Sequence, residues 1–387
     1  MKSVHIATLH KRHDTRILLK ECVSLSEAGF EIVLVVGDGE GDADYNGVKI
    51  VDVGRPKGRF ASRLIPMWRA ARRLRTLSPD VVHFHDAMFL PLAISLAIGG
   101  QRIIYDVHED HPREVMESRF ARPLLHIASF GYSVLEWIGA RIFTRIVSAT
   151  PHIATRFPEL KTITVQNFPL LQELVAADQV SYPSRSAQFT YVGGISANRG
   201  IQEMVDAMVT LPREDAVLAL AGSFATISLH KEMERRQGWR RVTFWNWLSR
   251  VGVADLLGSS RAGLVLFHPL PNNMAGQPNK LFEYMSAGLP VIASDFPLWR
   301  RIVEDANCGL LVNPLDPTAI AAAMAWVLDH PEEAEQMGKN GRQAVLNTYN
   351  WDHEAEKLIY VYTSLQHDSS DADEHGPILD STNGNTD

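Results

Sequence analysis

Lys280 and Glu283 are the residues of this 387-residue chain whose types and spacing point most directly to chemistry. They lie in PNKLFEYMSAGLPVIASD, residues 278–295, where Pro278 suits the start of a helix and Gly288 suits its end. The free N–H groups of the first turn and the Lys280 ammonium would together attract an anion. The Glu283 carboxylate, one turn on, would accept both hydroxyls of a ribose. The alternative is an exposed Lys280–Glu283 ion pair, which would contribute only about 0.2–0.5 kcal/mol.

The elements that must position these residues are short apolar strands that alternate with helical patterns. Continuous Val, Ile and Leu runs between helices predict parallel sheets covered on both faces. The sequence therefore predicts an α/β protein with two doubly wound parallel-sheet domains of similar size. The predicted strands cover residues 4–9, 31–37, 48–54, 80–85, 102–109, 145–150 and 162–169, and then 189–194, 216–222, 241–247, 262–269 and 290–295.

Shifts in composition predict the domain organisation. Residues 1–170 form the first domain, the polar stretch 171–187 is a linker, and 188–346 form the second domain. Residues 347–366 have helical periodicity, with apolar residues along one stripe. The polar, acidic residues 367–387 are predicted to be disordered.

Composition and charge exclude several classes of protein. The net charge of −7 argues against a nucleic-acid binder, so no nucleic-acid partner is expected. Two distant cysteines fit a reducing compartment. The start MKSVHIATLHKRHD does not resemble a signal peptide, and no apolar run approaches the roughly 20 residues of a membrane span. A cytoplasmic location is therefore expected.

Doubly wound sheets bind ligands beyond the carboxyl ends of their strands. The residues that follow the predicted strands are His10–Arg16, His85–Asp86, His108–Glu109, Gly193–Arg199 and His268–Lys280. Arg199 follows a strand and two glycines, and its guanidinium fork suits two phosphates. The alternative for Arg199 is an ordinary surface arginine.

Several of these stretches resemble the retaining family-4 glycosyltransferases, which have the GT-B fold of two facing Rossmann-like domains with a cleft between them. PNKLFEYMSAGLPVIASD resembles the family's donor-nucleotide motif, and YVGGISANRGIQEMVDA (191–207) resembles its V-G-R-x-x-x-x-K-G stretch. DVVHFHDA and IIYDVHED resemble strands of its acceptor domain. HKRHDTRILLKECVSLSEAGFEIVLV resembles the start of a bacterial subgroup that builds surface polysaccharides.

The resemblance implies that the second domain binds a nucleotide-sugar, with a UDP- or GDP-sugar as donor. Glu283 matches the glutamate that holds the donor ribose. The first domain would bind a saccharide or lipid-linked saccharide acceptor, and the helix 347–366 would cross back to it. The donor diphosphate would be bound by Arg199, Lys280, Gly193 and Gly194.

The chain departs from the family pattern at the donor sugar. The family usually has a second glutamate eight positions before the first, and this chain has Ala275 there. The usual arginine of V-G-R is Gly194, and the usual lysine is Arg199. The donor-sugar loop would then consist of Asn272, Asn273, Met274, Ala275 and Gly276.

On the acceptor side, a histidine at the position of His108 in the family lies beside the donor sugar and the acceptor. His108 and Glu109 are therefore the catalytic candidates, with Asp110 as an alternative carboxylate. The stretch HKRHDTR replaces the family's glycine-rich first loop. The further acceptor-side candidates are Arg12, Asp14, Arg16, His85 and Asp86, while His83 is expected to lie in the sheet core.

Four histidines near two strand ends also raise the question of a metal: His83, His85, His108 and His111. No cysteine accompanies them and their spacing matches no zinc signature, so neither a metal nor a cofactor is expected. Asp42–Ala43–Asp44 imitates a metal-binding D-x-D motif, but it lies in a glycine-rich stretch and does not follow an apolar strand.

The segment 55–75 contains no acidic residue. Its basic residues are Arg55, Lys57, Arg59, Arg63, Arg69, Arg72, Arg73 and Arg75, and they alternate with Phe60, Leu64, Ile65, Met67 and Trp68. A basic amphipathic helix of this kind is typical of contact with an anionic membrane surface, and the alternative is a solvated helix face. The apolar stretch Phe120–Phe143 is expected to be mostly core.

These observations predict a retaining, metal-independent glycosyltransferase, peripheral on the inner face of the cell membrane. Its acceptor would be a saccharide or a polyprenyl-diphosphate-linked saccharide, in exopolysaccharide or O-antigen synthesis. The alternatives are a nucleotide-sugar epimerase or hydrolase of GT-B fold, and a non-catalytic nucleotide-binding subunit, which Ala275 and Gly194 suggest.

Overall fold

The computed structural model describes residues 1–58, 60–116, 122–171 and 181–374, and the chain divides into two compact units. The first contains Met1–Val165 and Glu354–Asp387, and the second contains Gln166–His353. The division lies five residues before the predicted boundary, because the Phe168 ring packs 4.8 Å from Phe282 in the second core. Most of the predicted linker, residues 172–180, lies outside the described residues.

The first unit is built on an eight-stranded sheet, which is parallel except for its edge strand β3. The strand order is β3-β4-β2-β1-β5-β6-β7-β8. The sequence did not predict β3, because ADY has no apolar run and pairs only at the sheet edge. The strands are β1 Lys2–Ala7, β2 Glu31–Val36, β3 Ala43–Tyr45, β4 Val48–Asp52, β5 Val81–Phe84, β6 Arg102–Val107, β7 Arg145–Ser148 and β8 Thr162–Thr164.

The second unit is built on a six-stranded parallel sheet with the order β11-β10-β9-β12-β13-β14. The predicted α/β class with two parallel sheets is therefore confirmed. β14 was not predicted, because GLLV is short and follows a polar turn. The strands are β9 Gln188–Val192, β10 Val217–Ala221, β11 Val242–Trp245, β12 Ala262–Val265, β13 Val291–Ser294 and β14 Gly309–Val312.

Helices cover both sheets. In the first unit, a π-helical segment, Ile17–Cys22, runs into α1. The helices are α1 Val23–Glu27, α2 Ala61–Leu77, α3 Leu90–Ile98, α4 His111–Met116, α5 Arg122–Ile142, α6 Pro151–Ala154, α7 Ile201–Thr210, α8 Ile227–Glu234, α9 Arg250–Gly258, α10 Pro271–Ala275, α11 Asn279–Ser286, α12 Pro297–Ala306, α13 Pro317–Asp329, α14 Pro331–Asn347 and α15 Trp351–Glu374. In the described part of the chain, none of them is both long and apolar enough to cross a bilayer.

Each sheet reverses its strand order at one point, between β1 and β5 in the first unit and between β9 and β12 in the second. The chain leaves neighbouring strands in opposite directions there, so the loops diverge and leave a crevice at the carboxyl ends. The loops that follow β1, β5 and β6 carry the polar candidates of the first unit. Those that follow β9 and β12 carry the candidates of the second.

The helix α5 differs from the prediction that most of Phe120–Phe143 is core. Only one side of α5 is buried, with Leu125 and Ala140, while Ile127, Phe130 and Trp137 are each more than half exposed. The apolar residues are too many for the one face that packs on the unit. Residues 117–121 of this stretch lie outside the described residues.

The last helix, α15, packs in the first unit from Glu354 onward. It buries Leu358, Tyr362 and Leu365, the apolar stripe of the sequence. The helix continues to Glu374 and so includes the first residues of the stretch 367–387 that the sequence predicts to be disordered. Residues 375–387 lie outside the described part.

Tyr362 ties α15 to the middle of the first sheet. Its hydroxyl lies 2.8 Å from His83 Nδ1, 2.9 Å from His5 Nε2 and 3.1 Å from Ser3 Oγ, and all four side chains are buried. His5 and His83 are register partners on β1 and β5. A single phenol thus bonds one ring nitrogen of each of two buried imidazoles.

Replacing Tyr362 with Phe is expected to lower the free energy of unfolding by about 1–3 kcal/mol, because buried imidazole nitrogens lose their partner. Tyr360, on the same helix, is 70% exposed, and Tyr360→Phe should change stability by less than about 0.5 kcal/mol. Urea denaturation of both variants measures the difference. Equal effects of the two substitutions would contradict the buried role of Tyr362.

Candidate functional site

Asp106 is the centre of the polar group at the carboxyl edge of the first sheet. It is fully buried at the end of β6. Its Oδ1 accepts a hydrogen bond from Arg16 Nη2 at 3.0 Å, and its Oδ2 lies 3.0 Å from His108 Nε2 and 3.2 Å from His85 Nδ1. Burial opposes the charged carboxylate, but Arg16 and His108 outweigh it and hold the pKa of Asp106 well below its usual range. Asp106 is therefore a buried anion.

Arg16 supplies the compensating charge. It directly precedes the π-helical segment, and besides Asp106 it donates to the Val165 carbonyl at 2.9 Å. Its Nε lies 2.9 Å from Glu21 Oε1, an ion-pair distance without hydrogen-bond alignment. Burial and the nearby Asp106 raise the pKa of Glu21 well above its usual value. One arginine thus faces two buried carboxyl groups.

A row of imidazoles leads from Asp106 into the core. Because Asp106 is charged, it can only accept a hydrogen bond, so His85 Nδ1 carries the proton of the bond between them. His85 Nε2 then accepts from His5 Nδ1 at 3.1 Å, and His5 Nε2 accepts from the Tyr362 hydroxyl. Burial lowers the pKa of His85 to about 4 and the pKa values of His5 and His83 well below their usual value. The three rings are therefore neutral at pH 7.

His10, Asp14 and Asp86 form a second polar group beside the first. Asp14 accepts from the backbone N–H groups of Arg16 and Ile17, at 2.9 and 3.0 Å, and so starts the helix. Asp86 accepts from Thr8 Oγ1 and the Leu9 N–H, both at 3.1 Å. The His10 ring lies 5.4 Å from the His108 ring and has its Nε2 3.4 Å from Asp86 Oδ1. Although burial lowers the pKa of His10, Asp14 and Asp86 raise it more.

The other acceptor-side candidates lie apart from Asp106. Arg12 donates to both oxygens of Asp38, at 2.8 and 2.9 Å, and to the Gly41 carbonyl, so it fixes the glycine-rich loop after β2. Glu109 is exposed on the turn after β6. Asp110, the alternative carboxylate, pairs with Arg156 at 3.0 Å. Of the predicted acceptor-side residues, the structure brings Arg16, His85 and His108 into direct contact with Asp106 and leaves Arg12 outside.

In the second unit, the turn after β9 is shaped by glycines. Gly193 has φ +118°, and a Cβ on Gly194 would lie 2.9 Å from Arg199 Nη1. The Gly194 carbonyl accepts from the Tyr191 hydroxyl at 2.7 Å and from Arg199 at 3.0 Å. Arg199 ends the short 3-10 turn Ala197–Arg199 before α7. The missing side chain at Gly194 leaves the space that Arg199 uses.

Lys280 lies in the first turn of α11, which begins at Asn279, so that Pro278 precedes the helix instead of opening it. Its ammonium lies 4.9 Å from the centre of the Phe267 ring, and the Arg199 guanidinium lies 5.5 Å from the same ring. Among the residues that the structure describes, no carboxylate pairs with Lys280. Burial, followed by repulsion from Arg199, lowers the pKa of Lys280 to about 7. Two cations that form no ion pair within the described part of the chain therefore share one aromatic ring, and the Glu283 carboxylate acts on Lys280 only at longer range.

Glu283 does not pair with Lys280. Its Oε1 lies 3.0 Å from Arg250 Nη1, at the start of α9, and its side chain is 20% exposed. The alternative of a Lys280–Glu283 ion pair is therefore wrong, because the two side chains leave the helix towards different partners. Arg250 follows a strand-to-helix turn in the sequence, but nothing in its spacing links it to Glu283.

The predicted donor-sugar loop forms the short helix α10 and the turn after it. Asn273 Nδ2 donates to the His268 carbonyl at 2.9 Å, and Trp299 Nε1 donates to the Gly276 carbonyl at 2.8 Å. The His268 N–H donates to the Asn198 carbonyl at 2.9 Å, so the loop is tied to the turn that carries Arg199. Asn272, Met274 and Ala275 lie on α10, and Met274 is 38% exposed.

Sequence reasoning missed the residues that act from distant parts of the chain. Glu21, His5 and Tyr362 surround Asp106 and His85, and Arg250 contacts Glu283. His5 interrupts an apolar strand and Tyr362 lies on the apolar stripe of the last helix, whereas Glu21 and Arg250 carried no local signal.

Two family models match the chain, one for each half. The model described as Glycosyltransferase Family 4 matches residues 16–164, and the model described as Glycosyl transferases group 1 matches residues 177–344. Together they cover most of both units.

Curated relatives show the same similarity at low identity. The chain is 22% identical over 332 residues to a glycogen synthase of Mycobacterium tuberculosis, covering 81% of this chain and 77% of the relative. It is 24% identical over 276 residues to the D-rhamnosyltransferase WbpZ of Pseudomonas aeruginosa, covering 67% of each.

Solved structures share the fold. Sucrose-phosphate synthase from Thermosynechococcus elongatus superposes with a TM-score of 0.73 at 17% identity, covering 95% of this chain and all of that one. Anabaena Alr3699/HepE in complex with UDP superposes with a TM-score of 0.70 at 13% identity, covering 94% of this chain and all of that one. Both likenesses support the two-unit architecture.

The shifted pKa of Lys280 can be measured without a ligand. Competitive acylation followed by mass spectrometry should show an amine that becomes reactive as the pH rises through about 7, with exposed Lys231 as the internal reference. Arg199→Gln should move this transition to higher pH, because it removes a neighbouring positive charge that lowers the pKa. An Arg199→Gln protein with an unchanged or lowered transition would show that the two cations do not interact.

Proposed function

We propose that this chain, a family-4-like glycosyltransferase with the GT-B fold, transfers a sugar from a nucleotide-sugar to a saccharide or polyprenyl-diphosphate-linked acceptor. The donor binds to the second unit and the acceptor to the first. We further propose retention of the anomeric configuration and a donor site that needs no metal at the diphosphate.

The observation that carries the proposal is the pair of cations, Lys280 and Arg199, beside the glycine turn after β9. A buried ammonium without a counter-ion is unfavourable, and a bound anion removes that cost. A diphosphate placed there gains a charge from each residue. The same charges stabilise the nucleoside diphosphate as it leaves, which is the part that a divalent cation plays in other transferases. Binding of the diphosphate favours the protonated form of Lys280.

The exposed part of Glu283 supports a ribose site next to the diphosphate. Its Oε1 accepts a hydrogen bond from Arg250 at 3.0 Å, which fixes the direction of the carboxylate. An ionised carboxylate accepts the two adjacent hydroxyls of a ribose. Solved neighbours in complex with UDP and UDP-glucose, such as Anabaena Alr3699/HepE, favour a UDP-sugar as the first donor to test.

The donor sugar itself faces the loop of α10, where Ala275 replaces an expected carboxylate. The polar groups offered to the sugar hydroxyls are Asn272 and the backbone N–H groups of Ala275 and Gly276, since the Met274 N–H donates to the Leu270 carbonyl at 2.9 Å. A site that lacks a charged acceptor discriminates less strongly among hydroxyl patterns. The sugar selectivity of the proposed transferase therefore depends on the shape of this loop.

On the acceptor side, His108 and Glu109 are the proposed catalytic groups, since both follow β6 and are accessible to solvent in part. Arg16 and Asp106 fix the direction of His108, and Asp14, His85 and Asp86 complete its surroundings. Arg12 is not part of this proposal, because Asp38 holds it elsewhere.

The donor assignment predicts which nucleotide-sugars stabilise the chain. A ligand at about 100 times its dissociation constant adds about 2.7 kcal/mol to the unfolding free energy, so a thermal-shift panel of UDP- and GDP-sugars identifies the donor. Glu283→Ala should lower the affinity for that ligand by about 10- to 100-fold, because two hydrogen bonds to a charged group are lost. Exposed Glu214→Ala is the control.

Product analysis with the identified donor separates the three possible activities. Transfer requires that donor loss depend on an added saccharide or lipid-linked acceptor. Donor turnover without acceptor would indicate an epimerase or hydrolase, and binding without turnover would indicate a non-catalytic subunit. Equal donor affinity in the Glu283→Ala and Glu214→Ala proteins would refute the ribose site.

We also propose that the segment 55–75 contacts an anionic membrane surface on the cytoplasmic side. Helix α2 buries Met67, Ala70 and Leu74, and it exposes Leu64 and Trp68 on its other side. The exposed arginines flank this apolar stripe, and the Arg72 guanidinium lies 4.6 Å from the centre of the Trp68 ring. Arg59 lies outside the described residues. An exposed apolar stripe between cations fits the boundary between lipid headgroups and acyl chains better than it fits water.

Reversing four charges tests the membrane contact. Each cation near an anionic surface contributes about 1 kcal/mol, so a protein with Arg69, Arg72, Arg73 and Arg75 replaced by Glu should no longer sediment with vesicles that contain phosphatidylglycerol. A matched variant with Lys231, Arg235, Arg240 and Arg301 replaced by Glu has the same net charge and should still sediment. Release of both variants, or of neither, would contradict a site on α2.

A further inference from the structure

We propose that the carboxyl edge of the first sheet binds one divalent transition-metal ion through His85 Nδ1, Asp106 Oδ2 and His108 Nε2. The three atoms form a nearly equilateral triangle, with sides of 3.0, 3.2 and 3.2 Å. Ligand atoms at zinc distances in a tetrahedral site are separated by about 3.3 Å. The triangle therefore has the size of one face of such a site, and the fourth position is left for an oxygen ligand.

Hydrogen bonds alone explain this triangle incompletely. If Asp106 Oδ2 accepts a hydrogen bond from each ring, two N–H groups converge on one oxygen, and their nitrogens lie only 3.2 Å apart. A metal ion would take the place of both protons as a single positive centre that attracts all three atoms. Arg16 already orients the Asp106 carboxylate, which is the role that the hydrogen-bond partners of a metal ligand commonly have.

The proton positions in the row of imidazoles give an independent argument. Without a metal, each proton in the row points towards Asp106, and His83 donates from Nδ1 to Tyr362. His83 Nε2 then holds a bare lone pair, is buried without a hydrogen bond, and lies 4.0 Å from the charged Asp106 Oδ2. A lone pair beside a carboxylate is unfavourable.

A metal on His85 Nδ1 reverses every proton in this row. His85 Nε2 then donates to His5 Nδ1, His5 Nε2 donates to Tyr362, and the Tyr362 hydroxyl donates to His83 Nδ1. His83 Nε2 now carries a proton that faces Asp106. The row becomes a set of outer-shell donors of the type that supports ligating histidines, and the buried nitrogen no longer opposes the carboxylate.

Glu21 supplies a second buried carboxyl group on the inner side. Its Oε2 makes no hydrogen bond to any residue that the structure describes and lies 3.8 Å from His85 Nδ1, within reach of an ion bound to that nitrogen. Two imidazoles with carboxylates select zinc, cobalt, nickel or ferrous iron over magnesium and calcium, which prefer oxygen ligands alone. The proposed ion belongs to the first unit and is independent of the donor diphosphate.

The test uses the full chain, stripped with chelator, equilibrated separately with Zn²⁺, Co²⁺, Mg²⁺ and Ca²⁺, desalted, and measured by elemental mass spectrometry. We expect retention of about one Zn²⁺ or Co²⁺ per chain, and no retention of Mg²⁺ or Ca²⁺. His85→Asn should abolish retention, and Glu21→Gln should lower the affinity for the ion by about 10- to 100-fold. His13→Asn, which changes an exposed histidine, should retain the ion.

The unsubstituted protein decides the outcome even if a variant fails to fold. Retention of less than about 0.1 transition-metal ion per chain would overturn the proposal and leave the cluster as a hydrogen-bonded network. Retention that survives His85→Asn in a folded protein would also overturn it. Loss or persistence of donor binding in the thermal-shift panel is a separate readout, because that ligand contacts the second unit.

Discussion

A charged group buried at the end of a strand must be paired with an opposite charge, or its pKa shifts until the neutral form is favoured. This constraint organises both units. In the first unit, Asp106 is fully buried and stays ionised because Arg16, from the turn after β1, and His108 both contact it. In the second, Lys280 is a buried cation beside another cation, Arg199, and its pKa falls to about 7. The first unit compensates its charge from within, whereas the second leaves an excess for an anion to neutralise.

This contrast separates the two units chemically. In the Asp106 cluster, each charged or polar group faces a partner of opposite character. The side chains therefore hold fixed directions, and His108 has one orientation. The Lys280 region relies on two aromatic faces and a glycine turn, which place cations without neutralising them. Fixed imidazoles suit the handling of a hydroxyl group, and uncompensated cations suit a diphosphate. The chemical difference between the two units follows from where each chain segment places its counter-charges.

Local patterns predicted the two parallel sheets and the helix that carries Lys280 and Glu283, because apolar runs and Gly–Pro signals are local. They missed β3 and β14, which are short edge strands with weak apolar character. They also could not assign Arg250 to Glu283 or Tyr362 to His5, because those contacts join residues 33 and 357 positions apart. Arg12 shows the opposite error: its sequence neighbour Asp14 lies beside the site, but a bidentate bond to Asp38 draws Arg12 away. Charge type and proximity in sequence do not fix the direction of a long side chain.

The place of Tyr362 also has a consequence for biosynthesis. A ribosome releases β1 early, but the phenol that completes the surroundings of His5 follows 357 residues later. The second unit is a continuous segment, Gln166–His353, with all its strands available before α15 emerges. During translation, the later-made half is therefore free to reach its native packing first, while the amino-terminal half waits for the carboxyl-terminal helix.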